Sequence, residues 1–264
     1  MKQNESLAET RAVFVLFAQK PNKTEQSPEY GFFCGGFYGR INENSKNAEG
    51  GRSMTNAPKT VLAIHDLPGF GRAALSVIVP VLSTLGVQTV ALPTAVLSTH
   101  TGGLGTPAKL ANPGYGPVAL EHYHRLGVKF DCIYSGYLAD AAQAKLVEQA
   151  FELWPRAFKV VDPVLGDGGR LYSGLGADMV PAMYSLCSKA DLIVPNVTEA
   201  ALLLGDPLPG VGSAEQAAAQ AARLTRVAPQ VVVTGVTGIG GGRYIGCVLS
   251  LIHISEPTRL ALIS

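Results

Sequence analysis

The chain has 264 residues, 47% of them hydrophobic and 16% charged, which is enough apolar surface for one α/β domain and argues against wholesale disorder. The formal net charge of +1 argues against a dedicated nucleic-acid binder, and no apolar run approaches the roughly 18 residues of a membrane span. The four cysteines are far apart and form no Cys-x-x-Cys pair, so we expect neither a zinc site nor a disulfide framework, and a cytoplasmic location.

Residues 1–53 differ in composition from the residues that follow. They hold 13 charged residues in 53 positions, against 26 in the 197 positions from Met54 to Ser250. Stretches such as INENSKNAEGG have no helix or strand period, and the apolar run from Ala12 to Ala18 is short for a signal peptide. We expect residues 1–53 to be a disordered or spurious leader.

The pattern becomes regular from Thr60 onward, where apolar runs alternate with segments of helical period. The predicted strands are 60–65, 87–93, 130–136, 157–163, 190–196 and 229–235. The predicted helices are 73–85, 139–153, 178–188, 198–204 and 213–226. Strands that are apolar throughout and separated by helices predict an α/β fold, in which helices cover both faces of a mostly parallel sheet.

The end of the chain departs from this pattern. The sequence GIGGGR (238–243) lies between apolar runs and is interpreted as a hairpin turn that leads into a strand at 243–250. The following segment, LIHISEPTRLALIS (251–264), has no turn signal, and its Glu-Pro-Thr-Arg stretch fits neither a strand nor a helix start. We expect a domain over 54–250 and a tail foreign to it over 251–264.

Two predicted strands end in polar residues that could serve phosphates or a metal. Asp162 ends the strand in KVVDPVLGDGGRLY, and Asn196 ends the next one in DLIVPNVTEAALLLG. Asp162 could instead occupy a turn, and Thr198-Glu199 could only cap the next helix. Because ligands bind beyond the carboxyl ends of the strands in open α/β sheets, two such endings at one crevice favour a site.

Two further segments could hold a small aromatic substrate. The polar stretch Ser98–Thr101 follows a strand and ends in two glycines, so it could hydrogen-bond a polar ring and move as a lid. His100 in this stretch could equally be an ordinary surface residue. Tyr137, in YSGYL, lies at a strand end, where its ring could stack on a substrate or belong to the core. The sequence DLPGFGRAA (66–74) matches neither of the standard Gly-rich phosphate loops.

Taken in order, these segments resemble the pyridoxal/pyridoxamine/pyridoxine kinases of the ribokinase-like superfamily over residues 60–250. The segments are VLAIHDLPGFGRAALSV, LPTAVLSTHTGG, SGYL, VDPVLGDGGRLY, PNVTEA and VVVTGV. The resemblance implies the three-layer ribokinase-like fold and phosphorylation of the 5′-hydroxyl of a vitamin B6 compound. It also implies ATP and Mg²⁺ as cofactors and, for a complete chain, a homodimer, whereas the exclusion of nucleic-acid and membrane partners follows from the charge and the short apolar runs.

The resemblance also implies a role for individual residues. Those expected to hold the pyridine ring are Asp66, Thr101 and Tyr137. Those expected to bind ATP are Asp162, Tyr172, Asn196, Glu199 and Thr234. Two of these, Asp162 and Glu199, are also expected to hold the metal.

The chain departs from the family in one respect. These kinases carry a Gly-x-Gly-Asp segment at the start of a helix. The backbone N–H groups of this segment stabilise the transferring phosphoryl group, and its Asp deprotonates the substrate hydroxyl. No Gly-x-Gly-Asp occurs in the 264 residues. We therefore expect a C-terminally truncated kinase with no catalytic base of its own. The alternatives are a hydroxymethylpyrimidine kinase of thiamine synthesis, or an inactive fragment that binds vitamin B6.

Overall fold

The computed structural model describes residues 58–100, 104–111, 113–172, 174–176, 178–209, 213–237 and 245–251, with the backbone alone for residues 237 and 245–251. The expected leader (1–53), the ring-binding candidate Thr101, the hairpin turn at 238–243 and residues 252–264 lie outside the described residues.

The six predicted parallel strands are present, and helices separate them along the chain. The strands are β1 (Thr60–Phe70), β2 (Gln88–Thr99), β3 (Lys109–Leu110), β4 (Cys132–Ser135), β5 (Phe158–Val161), β6 (Gly166–Asp167), β7 (Arg170–Leu171), β8 (Leu192–Ile193), β9 (Gln230–Thr237) and β10 (Ile245–Leu251). The helices are α1 (Leu75–Thr84), α2 (Tyr115–Arg125), α3 (Ala141–Leu153), α4 (Met179–Cys187), α5 (Val197–Leu204) and α6 (Ala214–Leu224).

Eight of these strands form one sheet in the order β10-β9-β8-β5-β4-β1-β2-β3. All neighbouring pairs from β9 to β2 are parallel, whereas β3 and β10 pair antiparallel with the strands beside them. The predicted α/β fold with a mostly parallel sheet is therefore confirmed. Strands β6 and β7 form a separate two-stranded hairpin.

The strands bury apolar side chains on both faces of the sheet. In β1, Leu62 and Ile64 belong to the core cluster that also contains buried residues of α2–α6. Val61 and Ala63, from the same strand, belong to a second cluster with Leu75 of α1. This two-sided burial explains why the strand sequences are apolar throughout instead of alternating. None of the helices in the described part of the chain is long and apolar enough to cross a membrane.

Strands β1 and β2 are longer than predicted. They remain paired from Leu67↔Val96 to Phe70↔Thr99, although β4 pairs only with the earlier part of β1, from Val61 to Ile64. Ser98 and Thr99, which we expected in a loop, therefore lie in β2. The paired extension brings the STH segment next to the DLPGFG segment.

Four short or polar elements were not predicted, namely α2, β3, β6 and β7. Helix α2, in the sequence YGPVALEHYHR, has few buried residues and a polar surface. Strands β6 and β7 have only two residues each. Strand β10 includes Leu251, which pairs with Gln230, so the regular structure extends one residue into the segment that we expected to be foreign.

Candidate functional site

The carboxyl ends of neighbouring strands bring most of the candidate residues to one edge of the sheet. In sheet order from β9 to β1 these residues are Thr234, Asn196, Asp162, Tyr137 and Asp66. All except Tyr137 are more than 90% buried, and Tyr137 is half-buried. The candidates predicted from the strand ends therefore lie along one edge of the sheet, which we call the crevice. The ring candidates lie at β1 and β4 (the ring side) and the phosphate candidates at β5, β8 and β9 (the phosphate side).

Asp162 directly follows β5 and is held by its neighbours on β4. Its backbone N–H donates to the carbonyl of Ser135, and its Oδ2 accepts a hydrogen bond of 3.1 Å from the Tyr134 hydroxyl. Burial raises the pKa of Asp162 to about 6, although the charge of His65 and the Tyr134 hydrogen bond act in the opposite direction. The carboxylate is therefore held at a fixed place where its negative charge is only partly compensated.

Asn196 and Glu199 form a capping box at the start of α5. Oδ1 of Asn196 accepts from the backbone N–H groups of Thr198 and Glu199, both at 2.9 Å, and Oε2 of Glu199 accepts from the backbone N–H of Asn196 at 2.8 Å. The capping interpretation of the TEA segment is thus partly right, since Glu199 takes part but Asn196 is the capping residue. The phosphate and metal roles of this pair stay a prediction.

The same helix start also holds the β6–β7 hairpin. Asn196 Nδ2 donates to the carbonyl of Gly166 at 2.8 Å, and Glu199 Oε1 accepts from the backbone N–H of Leu165 at 3.1 Å. Thr198 Oγ1 accepts from the backbone N–H of Gly169 at 3.0 Å. We call these three contacts the hairpin clamp. Thr198 is fully buried, and its part in the clamp was not foreseen from the sequence.

The hairpin clamp also places Tyr172, the residue that follows β7. The Tyr172 backbone N–H donates to the carbonyl of Leu165 at 3.0 Å, so it remains close to the residue that Glu199 holds. A side chain at Gly166 would overlap the carbonyl of Arg170, which explains a glycine at this position. The nucleotide role of Tyr172 stays a prediction.

Thr234 lies on β9 beside Asn196. The two residues form an isolated parallel bridge, and the Thr234 backbone N–H donates to the carbonyl of Pro195 at 2.9 Å. Gly235 follows with a φ of +75°, a backbone conformation that favours glycine. The structure thus brings Thr234 next to the capping box, and its nucleotide role stays a prediction.

The two buried carboxylates fit the chemistry of a magnesium site. Burial raises the pKa of Glu199, and the nearby charge of Asp162 raises it further, while its backbone hydrogen bonds lower it. A divalent cation beside them would offset this repulsion. The residues that the structure describes contain no cluster of three or more metal-ligating side chains. Mg²⁺ commonly binds one or two carboxylates and keeps several waters, so Asp162 fits as a direct ligand.

On the ring side, Asp66 lies at an irregularity between β1 and β2. The register changes from His65↔Pro93 to Leu67↔Val96, so two residues of β2 lie opposite Asp66 alone. Such a bulge redirects side chains out of the regular alternation. Burial raises the pKa of Tyr137, and the charge of Asp66 raises it further, so these two candidates lie on the same side of the crevice.

Tyr137 is held in place by a small polar network. Its carbonyl accepts a hydrogen bond of 2.9 Å from Thr94 Oγ1, and the carbonyl of Thr94 accepts one of 2.8 Å from Gln143 Nε2. Gln143 Oε1 also accepts from the backbone N–H of Ala139 at 2.7 Å. Neither Thr94 nor Gln143 was singled out from the sequence. A polar residue with apolar neighbours on both sides, such as Thr94 in ALPTAVL, is the signal that could have found this network.

His100 contacts the end of β1 and the glycine that follows it. Its backbone N–H donates to the carbonyl of Phe70 at 3.1 Å, and a side chain at Gly71 would overlap its ring. His100 therefore packs on the DLPGFG segment, and a role in holding a ring stays a prediction.

Comparison with known proteins places these features in a family. Residues 122–247 match the family model described as phosphomethylpyrimidine kinase. Over 206 residues the chain is 27% identical to a Schizosaccharomyces pombe protein assigned as a pyridoxal kinase. That match covers 75% of this chain and 65% of the yeast protein, and a second curated relative, the pyridoxal kinase PdxY of Deinococcus radiodurans, is covered over 61% of its length.

Two solved structures combine a similar fold with higher identity. The pyridoxal kinase from Lactobacillus plantarum is 36% identical, with a TM-score of 0.65 over 78% of this chain and 71% of that one. A Bacteroides thetaiotaomicron protein assigned as a phosphomethylpyrimidine kinase and crystallised with pyridoxal is 35% identical, with a TM-score of 0.69 over 74% and 69%. These relatives are kinases, as the resemblance implied. The chain belongs to the pyridoxal kinase family of the ribokinase-like superfamily.

Proposed function

We propose that this chain acts on vitamin B6, with ATP as phosphoryl donor and the 5′-hydroxyl of pyridoxal, pyridoxine or pyridoxamine as acceptor. The observation that carries the proposal is the order of residues along the sheet edge, where Asp66 and Tyr137 lie beside Asp162 on adjacent strands. A ring held at β1 and β4 would thus lie next to phosphates held at β5 and β8. The 35% identical Bacteroides protein, which was crystallised with pyridoxal, supports this choice of substrate.

On the ring side, Asp66 is the proposed hydrogen-bonding partner of the pyridine ring. A carboxylate that is 7% exposed has little water to compete with a ligand, so a hydrogen bond to it fixes orientation well. The aromatic side chain of Tyr137 would pack beside the ring, and we propose Thr101 as a further ring contact. Holding the ring in one orientation aligns its hydroxymethyl group for transfer.

On the phosphate side, Asp162 is the proposed direct ligand of Mg²⁺. Glu199 is also expected from the sequence to hold the metal, but its two oxygens accept from the backbone N–H groups of Leu165 and Asn196, so the contribution that we propose for it is indirect. When bound there, Mg²⁺ neutralises charge on the transferring phosphate. The hairpin clamp would keep Asn196, Glu199 and Tyr172 at constant positions around the nucleotide, with Thr234 on its far side. Each of these residues therefore binds or positions, and none of them is assigned the role of catalytic base.

Because no Gly-x-Gly-Asp occurs in the 264 residues, we propose that transfer by this chain is slow even when both substrates bind. The cytoplasmic location and the homodimer expected from the sequence stay predictions.

The second candidate is phosphorylation of hydroxymethylpyrimidine, which the description of the matching family model favours. Calorimetry with pyridoxal and with hydroxymethylpyrimidine, each with and without Mg²⁺ and ATP, separates the two. We expect pyridoxal to bind more tightly. Tighter binding of the pyrimidine would reassign the substrate, and binding of neither ring would contradict both functions.

A further inference from the structure

A buried histidine directly precedes the proposed ring-binding carboxylate. Nδ1 of His65 lies 2.6 Å from Oδ1 of Asp66, with the two side chains only 2% and 9% exposed. The backbone N–H of Asp66 lies 2.9 Å from the same Nδ1. One ring nitrogen cannot donate and accept at once, and we assign the proton to Nδ1 because the carboxylate contact is shorter and charge-assisted. His65 therefore donates to the Asp66 carboxylate.

The His65 ring is fixed by two contacts with β4 and the residue that follows it. A side chain at Gly136 would overlap Cδ2 of the ring, so the ring packs against the backbone there. The ring also stacks on Tyr134, with 6.2 Å between centroids and 24° between planes. The Gly136 backbone N–H donates to the carbonyl of Ile64 at 3.0 Å, which keeps this part of the chain against β1. His65 thus has a defined orientation before any ligand binds.

These contacts connect the two sides of the crevice. His65 donates to Asp66 on the ring side and stacks on Tyr134, whose hydroxyl donates to Asp162 on the phosphate side. The series crosses three adjacent strands, β1, β4 and β5. The contact with His65 limits the rotation of the Asp66 carboxylate.

We propose that His65 is a positioning residue that holds the Asp66 carboxylate in the orientation that binds the substrate ring. The inference rests on the proposed function, which assigns Asp66 to that ring. His65 engages Oδ1, so we assign the ring contact to Oδ2. His65 acts through Asp66 and does not itself contact the substrate.

The test compares variants of His65 that keep or remove the donor at the Nδ1 position. His65→Asn places an amide N–H close to that position, whereas His65→Leu removes the donor at similar size. His65→Gln is a second disrupting variant, because its amide reaches toward the Nε2 position instead. Calorimetry measures the affinity of the 264-residue chain for pyridoxal and, separately, for Mg²⁺ with a non-hydrolysable ATP analogue.

We expect His65→Leu and His65→Gln to weaken pyridoxal binding by about tenfold to a hundredfold, the loss typical of one hydrogen bond to a charged group. Nucleotide affinity should change by less than about threefold, and His65→Asn should restore most of the pyridoxal affinity. Because the proposed action runs through Asp66, His65→Leu should cause no further loss in an Asp66→Asn background.

Two results would overturn the positioning role while leaving the proposed function in place. One is additive loss of pyridoxal affinity in the double variant, and the other is equal loss of pyridoxal and nucleotide binding. The proposed function fails by a different result, namely a wild-type chain that binds no pyridoxal. If the wild-type chain binds no pyridoxal, Asp66 has no ring-binding role, and this conclusion does not depend on the His65 variants.

Discussion

The ring of His65 occupies the space in which any side chain at Gly136 would begin. This contact joins β1 to the end of β4 and accounts for the glycine of the SGYL segment in physical terms. It also means that two sequence motifs 71 residues apart form one unit at the ring side of the crevice. Substitutions at Gly136 should therefore change the orientation of the Asp66 carboxylate.

Replacing Gly136 by alanine should displace the His65 ring. The overlap involves a buried ring, so we expect a loss of about 1–3 kcal/mol in the free energy of unfolding, measured by urea denaturation. Pyridoxal affinity should fall as well, because the displaced ring can no longer hold Asp66.

Gly127→Ala is the matched control for this substitution. Gly127 has a φ of +69°, and the space that a Cβ atom would occupy is open, so alanine there costs roughly 1 kcal/mol of backbone strain. The control should leave pyridoxal affinity unchanged. Normal pyridoxal affinity in Gly136→Ala would contradict the link between the two motifs.

The order of strands and helices could be predicted because it depends on local patterns. Apolar runs and helical periods identify the central elements, and their ends at Asp162 and Asn196 follow directly. Helix α2 could not be found in this way, because it buries few residues, and the strands of the β6–β7 hairpin are too short for a period. The extension of β1 to Phe70 depends on pairing with β2, which no local pattern encodes.

The contacts within the site were less predictable than its members. The sequence shows polar residues at or just after strand ends, namely Asp162, Asn196 and Glu199. The hydrogen bond from the Gly169 backbone N–H to Thr198 Oγ1, in contrast, depends on how the β6–β7 hairpin folds back. The sequence pattern predicts His65 only as the last residue of a buried strand. Its role depends on its contact with Gly136, which sequence spacing does not reveal.

Replacing Asp162 by asparagine should weaken the binding of Mg²⁺ with nucleotide and stabilise the empty protein at neutral pH. The amide keeps the size of the side chain but removes the charge that attracts the metal. It also removes a charge whose burial is unfavourable, since the pKa of Asp162 is raised from 3.8 to about 6. Calorimetry and thermal unfolding measure the two effects.

The sign of the pH dependence follows from that raised pKa. Between about pH 4 and pH 6 the folded state binds more protons than the unfolded state, so wild-type stability falls as the pH rises through this window. The Tm of Asp162→Asn should therefore exceed that of wild type above pH 6, and the difference should disappear near pH 4. Parallel Tm curves, together with unchanged nucleotide affinity, would show that Asp162 is an ordinary turn residue.

Replacing Asn196 by alanine should affect both stability and nucleotide binding. The change removes the cap of α5 and one contact of the hairpin clamp, for an expected loss of about 1–3 kcal/mol in the free energy of unfolding. Nucleotide affinity should fall because the hairpin and Tyr172 are no longer held.

Ser213→Ala is the matched control, since Ser213 caps α6 by accepting from the Gln216 backbone N–H at 3.2 Å. It should cost about 1 kcal/mol and leave nucleotide binding unchanged. If Asn196→Ala and Ser213→Ala changed nucleotide affinity equally, Asn196 would act only as a helix cap.

The 264-residue chain should turn over pyridoxal far more slowly than a version that carries a family-like segment with Gly-x-Gly-Asp. Transfer to a neutral primary alcohol requires that its proton be accepted and that the charge of the phosphoryl group be stabilised. Losing a general base costs about 10²–10⁴-fold in rate, and losing oxyanion-type donors costs roughly 10²–10³-fold. Asp66, Tyr137 and Asp162 should still bind their ligands, so the two versions should differ in kcat much more than in the affinity for pyridoxal. Side-by-side assays of pyridoxal phosphate formation measure this difference, and comparable turnover by both would mean that the catalytic base lies elsewhere in the chain.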